Sequence, residues 1–437
     1  MSMSRTIGPK LIAAALALAV AAACSGSPPP AASPDEGAAP EKRSEPVELF
    51  IVSASGDSLE SFNERFGDMI NRKFASSNIK VTYLPWKKEG PGIPEMITAG
   101  QQIDMYFDSI GIFPTVQNYN LQMDMTDLVK QHNLDLSAFE PVTLQAAHAA
   151  SGGEELWGVP VFNNNLVLYY NKDIFDKFGV AYPKEAMTWD ELNELAKSLG
   201  RSDGEKLYVG YTTSANHALR MNQLSQPYLN PDTQQSAING DLWRKYYETA
   251  FLQPYKAAGL QSFTDKNNRM PNFLTQEAAM FMYLSSAIFI NKEYETINWD
   301  MVPIPTLPDQ PGIGSQPYPT FFSVTSTSKH KDEAMEVIRF LVSEEAQMQL
   351  SKKGIMPVLN SPAVKEAFGQ ESKFKDRNLK AVFVNQFAPV PYKSRYDSLV
   401  ERTYNEAVGV ALNQDINTAL RQAEEKANQI LTTEANK

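Results

Sequence analysis

Cysteine is all but missing from this chain: Cys24 is the only one among 437 residues. A single thiol cannot build an intrachain disulfide framework, so a packed core has to supply the stability. Histidine is nearly as scarce, with four in all. His132, His148, His217 and His330 lie far apart, with no His-x-x-x-His or Cys pairing, which removes the usual metal-ligand spacings. Basic charge is in deficit, 40 Lys and Arg against 51 Asp and Glu, for a formal net charge of -11. An acidic chain without a Lys/Arg-rich stripe repels phosphate backbones, so nucleic acid is not an expected partner. Also missing are the Gly-x-x-x-x-Gly-Lys-[Ser/Thr] loop, the Gly-x-Gly-x-x-Gly turn and the Gly-x-Ser-x-Gly elbow, and with them the commonest nucleotide and serine-hydrolase chemistries. Carboxylates are plentiful, but no local pattern singles out an acid pair of the kind glycoside hydrolysis uses. Catalysis is not expected, and no cofactor is implied.

The N-terminus is the most legible segment. Arg5 and Lys10 precede an apolar run from Leu11 to Ala23, too short for the ~30 Å hydrocarbon core of a bilayer. Residues 1–23 therefore read as a signal peptide. The run ends in Ala21-Ala22-Ala23-Cys24, which resembles the lipobox of bacterial lipoproteins, with Ala21 where Leu is usual. That resemblance implies lipidation at Cys24 and an anchored protein on the extracytoplasmic face of the cell membrane. Acyl chains contribute ~0.8 kcal/mol per buried methylene, so several together hold a protein at a membrane. No later stretch approaches the length of a membrane-spanning helix. Residues 24–45, rich in Ser, Pro, Ala and Glu, have no hydrophobic period and read as a disordered tether.

From Val47 on, strands and helices alternate. Residues 47–52, 79–84 and 103–107 read as strands. Leu59, Phe62, Phe66, Met69, Ile70 and Phe74 form one helical face between the first two. This alternation predicts a parallel sheet with helices on its faces, whose ligands collect at the carboxyl ends of the strands. Residues 161–170 read as a further strand. Thr188-Trp189-Asp190-Glu191 is a capping box that opens a helix through Leu192, Leu195, Ala196 and Leu199. Ala334, Val337, Ile338 and Leu341 mark another helix; Ile416, Leu420, Ala423, Ala427 and Ile430 mark the last.

One ordered series of motifs is more specific. Leu156-Trp157-Gly158-Val159-Pro160-Val161 is followed by Leu168-Tyr169-Tyr170-Asn171-Lys172-Asp173-Ile174-Phe175, then Phe178-Gly179-Val180, Pro183 and Thr188-Trp189-Asp190-Glu191-Leu192. In order and spacing this resembles the extracellular solute-binding proteins that serve carbohydrate ABC importers. Glu277-Ala278-Ala279-Met280-Phe281, Val302-Pro303-Ile304-Pro305, the segment from Phe340 to Gln347, Gly354-Ile355-Met356-Pro357-Val358 and the final helix extend the resemblance over nearly all of the chain after the tether. It implies an α/β, two-lobe, type II periplasmic-binding-protein-like fold. Lobe 1 would comprise residues 46–162 plus 322–357, and lobe 2 residues 163–321 plus 358–437. It also implies a carbohydrate ligand, expected to be an oligosaccharide, held between lobes that close about a hinge. A permease and its ATPase are the implied partners; membrane contact is through the anchor alone, and the chain is expected to be a monomer. A peptide, polyol or modified sugar on the same fold is the alternative, and a secreted polysaccharide-acting enzyme a more remote one.

Sugars suit sites that combine aromatic faces with Asp, Asn, Arg or backbone groups, because an unpaired hydroxyl in a dry cleft costs ~1–3 kcal/mol. Trp86 follows the second strand and Asp108 ends the third. Asp108 is readable as a hydroxyl acceptor or as a helix cap. Phe162, Asn163, Asn164 and Asn165 fall at the first implied crossover, where amides serve either a ligand or the hinge backbone. Tyr283 and Ser285 follow the Ala-Met segment, read as a helix. Many relatives carry Gly and Trp there, and Tyr283-Leu284-Ser285-Ser286-Ala287 departs from that pattern. Tyr318 sits beside the second crossover. Asp57, Tyr228, Trp243 and Arg395 are weaker candidates, and Trp157 and Trp189 are expected in cores. Trp86→Ala and Asn163→Ala are expected to weaken binding without loss of stability.

Overall fold

The computed structural model describes residues 45–55, 57–85, 91–153, 155–261 and 270–436. The expected signal segment, Cys24, nearly all of the tether and Trp86 lie outside these residues. The strands are β1 (Val47–Val52), β2 (Ile79–Tyr83), β3 (Met105–Ser109), β4 (Val159–Phe162), β5 (Leu166–Asn171), β6 (Arg201–Asp203), β7 (Lys206–Tyr208), β8 (Thr212–Thr213), β9 (Met280–Leu284), β10 (Trp299–Pro303) and β11 (Thr320–Val324). They form two main mixed sheets, ordered β2-β1-β3-β11-β4 and β10-β5-β9-β8, with β6 and β7 as a separate hairpin.

In the first sheet β1 runs parallel to β2 and β3, and β11 runs antiparallel between β3 and β4. Alternation of strands with helices dictates the parallel part. The helical stretch over residues 59–74 opens on Ser58, whose side chain accepts from the Ser61 amide, and it passes through a π-turn at Asn63–Gly67. Its apolar face packs on the sheet. Phe62 stacks on Tyr83 at 4.7 Å, Phe66 on Phe162 at 5.6 Å, and Phe107 on Phe322 at 5.0 Å. Such pairs are worth ~0.5–1.5 kcal/mol each beyond the area they bury.

The second sheet is built around β5, antiparallel to both β10 and β9, with β8 parallel to β9. The capping box is present: the Thr188 side chain accepts from the Glu191 amide and Glu191 accepts from the Thr188 amide. Trp157 and Trp189 are both buried, the latter donating to Gln223. Two readings change. Residues 161–170 are two strands in different sheets, broken at Asn163–Asn165, because consecutive Asn residues bond their own backbone and interrupt the ladder. The Ala-Met segment leads into strand β9, not a helix. Met280, Met282 and Leu284 are buried while Phe281 and Tyr283 are half-buried, the period of two that a strand requires.

The chain passes between the sheets at Asn163–Asn165 and again between β10 and β11. β11 already pairs with the first sheet at Thr320, two residues before the sequence partition. Later, Leu359 still bridges Phe139 and the Asn360 amide reaches the Ala138 carbonyl, beyond the partition at 357. Among the described residues no helix is long and apolar enough to cross a membrane.

Candidate functional site

Where the segments joining the two sheets converge, a cavity of about 230 Å³ opens between them. The first sheet contributes Asp108 and Ser109 from the carboxyl end of β3, Phe162 from the end of β4, and Thr320 from the start of β11. The other side contributes Tyr283, Leu284, Ser285 and Ser286 at the end of β9, His217 and Arg220 from the helix Ala215–Arg220, and Tyr318 from the second joining segment. Of the candidates among the described residues, Asp108, Phe162, Asn163, Asn164, Tyr283, Ser285 and Tyr318 line this cavity.

Asp108 is fully buried and does not cap a helix. Its Oδ2 accepts from the amides of Ala54 at 2.7 Å and Ser55 at 3.1 Å and from the Ser53 hydroxyl at 3.3 Å, pinning the turn after β1. Among the described residues its Oδ1 is buried without a geometric hydrogen bond, although the nearby Tyr106 hydroxyl also favours the charged carboxyl. Burial pushes the carboxyl up from 3.8 to about 7, against the amide and hydroxyl bonds that favour its charge. An unpaired acceptor at a cavity wall is a place where a ligand hydroxyl gains a bond that solvent no longer supplies.

The Asn run is mostly committed to the joining segments. Asn163 donates to Thr143 at 2.8 Å and accepts from the amides of Asn164 and Tyr318. Asn164 donates to Ser286 at 2.6 Å, and its oxygen accepts from Ser285 at 2.7 Å and from the Asn165 amide. Asn165 donates to the Val382 carbonyl and is not among the cavity residues. The structure therefore uses these amides first to tie both crossings to the end of β9. Ser285, read from its departure from the relatives' pattern, is one of those ties.

Aromatic faces alternate with this polar lattice. Tyr283 is half-buried, stacks on Phe281 at 5.0 Å and receives the edge of His217 at 5.0 Å. Phe162 rests on Phe66. Tyr318 is buried, its hydroxyl accepting from Arg220 Nη1 at 3.0 Å. Gly111, in the turn after β3, makes room for this pair: a Cβ there would lie 2.3 Å from the Tyr318 hydroxyl and 3.1 Å from Arg220 Cδ.

Three charged or titratable wall residues, Arg65, His217 and Arg220, were not singled out by their sequence. His217 and Arg220 stand three apart on one short helix, a spacing that puts them on the same side, but the segment has no long apolar period to draw attention to it. Burial first, then Arg220, drives His217 down to about 3, so the ring is neutral; its Nδ1 pairs with the Ser214 hydroxyl at 2.8 Å. Burial opposes the Arg220 charge, but Tyr318 and the two hydrogen bonds that Arg220 donates to Glu401 outweigh it and hold the guanidinium above its ordinary value. Arg65 pairs with Asp57 at 2.5 Å. Both guanidiniums on the cavity are thus matched, by Asp57 and Glu401, and Asp108 alone has no cationic partner among the described residues.

The weaker candidates divide. Asp57 lines the cavity as the partner of Arg65. Tyr228 and Trp243 stack on each other at 5.8 Å inside the second half's core. Arg395 lies on a neighbouring crevice. Among the described residues no group of three or more His, Cys, Asp or Glu could hold a metal ion.

The model of the family described as bacterial extracellular solute-binding protein matches residues 56–348. This chain belongs to that family. The solute-binding protein is 27% identical over 139 residues to a "Probable ABC transporter-binding protein" of Deinococcus radiodurans, a match covering 29% of this chain and 33% of that one. It thus spans half or less of the length of the curated relatives it matches. Among solved structures it resembles an ABC substrate-binding protein of Listeria monocytogenes in complex with cycloalternan, with a TM-score of 0.69 and 17% identity over 89% of this chain and 100% of that one. It also resembles the cyclic alpha-maltosyl-1,6-maltose binding protein of Arthrobacter globiformis, with a TM-score of 0.68 and 17% identity over 89% and 100% of the two chains. At these identities the likeness is one of fold, the type II two-lobe arrangement of two mixed sheets flanked by helices. The family is one of solute-binding proteins.

Proposed function

We propose that the solute-binding protein captures an uncharged saccharide, an oligosaccharide in the first reading, in the cavity between its two sheets and delivers it to the permease of an ABC importer powered by a separate ATPase. The observation that carries this is the wall itself. Aromatic faces at Tyr283 and Phe162, a buried unpaired carboxylate oxygen on Asp108, and guanidiniums already matched by carboxylates suit a ligand of hydroxyls and C–H faces. A peptide would bring a carboxylate terminus, and both wall guanidiniums, Arg65 and Arg220, are already paired. The neighbours' cyclic saccharides support the same ligand class. Lipidation at Cys24 would keep the protein at the membrane, close to the importer.

Lobe 1 is assigned to the first sheet and its helices, lobe 2 to the second, with the hinge at the Asn163–Asn165 crossing and the segment before β11. The boundaries follow the sequence partition, moved to Thr320 and past Asn360 by the pairing seen there. One observation favours a smaller ligand as a second reading: 230 Å³ is below the ~300–1,000 Å³ typical of drug-sized sites, which fits a monosaccharide or polyol.

Thermal denaturation of the purified protein against mono- and oligosaccharides, polyols and peptides separates these. A ligand at 100 times its dissociation constant stabilises by ~2.7 kcal/mol, a readable rise. A rise with one glycan series supports the first reading, a rise with only a small sugar or polyol the second. A rise with peptides alone overturns both.

A further inference from the structure

Behind the ligand cavity, with Arg220 and Tyr318 as the shared wall, lies a second crevice of about 30 Å³. One side is the turn after β3 at Gly111 and Thr115; the other is the start of the helix Asp397–Asn413 and the segment before it. Three polar groups on this crevice are left short of partners by the protein. Asp397 Oδ1 and the Tyr228 hydroxyl are buried with none. Among the described residues the amine of the half-buried Lys393 reaches only the Arg220 carbonyl at 3.3 Å and the Gln316 side-chain oxygen at 3.4 Å. Burial raises Asp397 to about 7 and lowers Lys393, each against the attraction of the other.

The space and the chemistry narrow the occupant. Buried polar groups without partners are costly, and native structures meet them with ordered water. A site holds a water when it offers at least ~10–15 Å³ and two to four polar partners, and this crevice has both. An anion would face the carboxylates of Asp397 and Glu401, and a cation would face Lys393 and Arg220.

We propose that the crevice is a second, internal site occupied by about one or two water molecules that bridge Asp397 Oδ1, the Tyr228 hydroxyl and the Lys393 amine. The site backs the ligand cavity: Lys393 bonds the carbonyl of Arg220 while Glu401 holds its guanidinium. Only that last role rests on the cavity being the ligand site; the water site stands without it.

A high-resolution crystal structure of the purified, unliganded protein is expected to show solvent density within hydrogen-bond reach of all three groups. An empty crevice overturns the proposal, and so does an anomalous peak there after a thallium soak, which would mean a monovalent cation. Tyr228→Phe keeps the ring on Trp243 and removes one hydroxyl. If water bonds that hydroxyl, the melting temperature falls by about 1 °C; a rise means that the hydroxyl was unsatisfied and the crevice dry. Asp397→Leu is expected to expel the density and Asp397→Asn, which keeps an acceptor, to retain it. Density unchanged in Asp397→Leu overturns the bridging role, and should that variant not fold, the wild-type density and Tyr228→Phe decide.

Discussion

Replacing Asp108 by Asn tests the electrostatics of the cavity wall with one atom changed. In the unfolded chain an Asp ionises near pH 4; in the folded protein burial holds Asp108 protonated up to about 7. Between those values the folded state binds the extra proton, so this residue's contribution to stability falls as pH rises and reaches its full deficit above 7. The gap corresponds to a cost on the order of 4 kcal/mol at pH 8. Asn keeps an oxygen for the Ala54 and Ser55 amides and never has to lose a proton. At pH 5, already above the unfolded value, the variant should therefore be ahead by ~1.6 kcal/mol, about 2 °C. At pH 8 it should be the more stable by up to the full deficit, about 5 °C for a chain of this size at ~2.1 cal/mol/K per residue. The wild-type curve alone would mislead. Asp397 has the same sign, whereas His217, lowered to about 3, stabilises the folded state increasingly as pH rises to ~6.5 and loses that contribution below it. The assay is the difference in melting temperature between Asp108→Asn and wild type from pH 5 to 8. An offset that does not change across that range would refute the reasoning, because the carboxylate charge would then cost nothing where it sits.

Other substitutions read the rest of the wall. Gly111→Ala puts a Cβ 2.3 Å from the Tyr318 hydroxyl, so it should cost ~1–3 kcal/mol in melting experiments and weaken saccharide binding; an unchanged melting temperature would mean that the wall yields freely. Asn163→Ala is expected to lower stability by ~1–3 kcal/mol, against the sequence expectation of no change, because it strips partners from Thr143 and the Tyr318 amide. Loss of binding without loss of stability would restore the simpler ligand role. Tyr283→Ala should weaken binding by roughly 2- to 12-fold, the worth of an aromatic contact at ~0.5–1.5 kcal/mol, while Tyr283→Phe should bind nearly as wild type; equal losses in a binding titration would point to the hydroxyl instead of the ring face.

The fold was legible because its signals are local and ordered. The motifs from Leu156 to Leu192 stand in sequence, the Thr188 capping box fixes a helix start, and the helical faces keep their spacing. Segments that switch sheets were harder. Residues 161–170 read as one strand, since the local Asn bonds at Asn163–Asn165 break it only together with tertiary hydrogen bonds to Met356, Ser286 and Val382. β9 was missed although its period of two was on display, because the Ala-rich residues before it suggested a helix. In the site, position past a strand end found Asp108, and the crossing found Phe162, Asn163 and Asn164. Arg220 was invisible for a physical reason. Its partners Tyr318 and Glu401 lie 98 and 181 residues away in the chain, and no local pattern encodes such a pairing.

The most direct test of the central claim is a crystal structure of the protein grown with whichever saccharide raises its melting temperature most. The account predicts density for the sugar in the cavity, a ring against Tyr283 or Phe162 and a hydroxyl within bonding distance of Asp108 Oδ1. Sugar bound elsewhere on the surface, with the cavity unchanged, would contradict it.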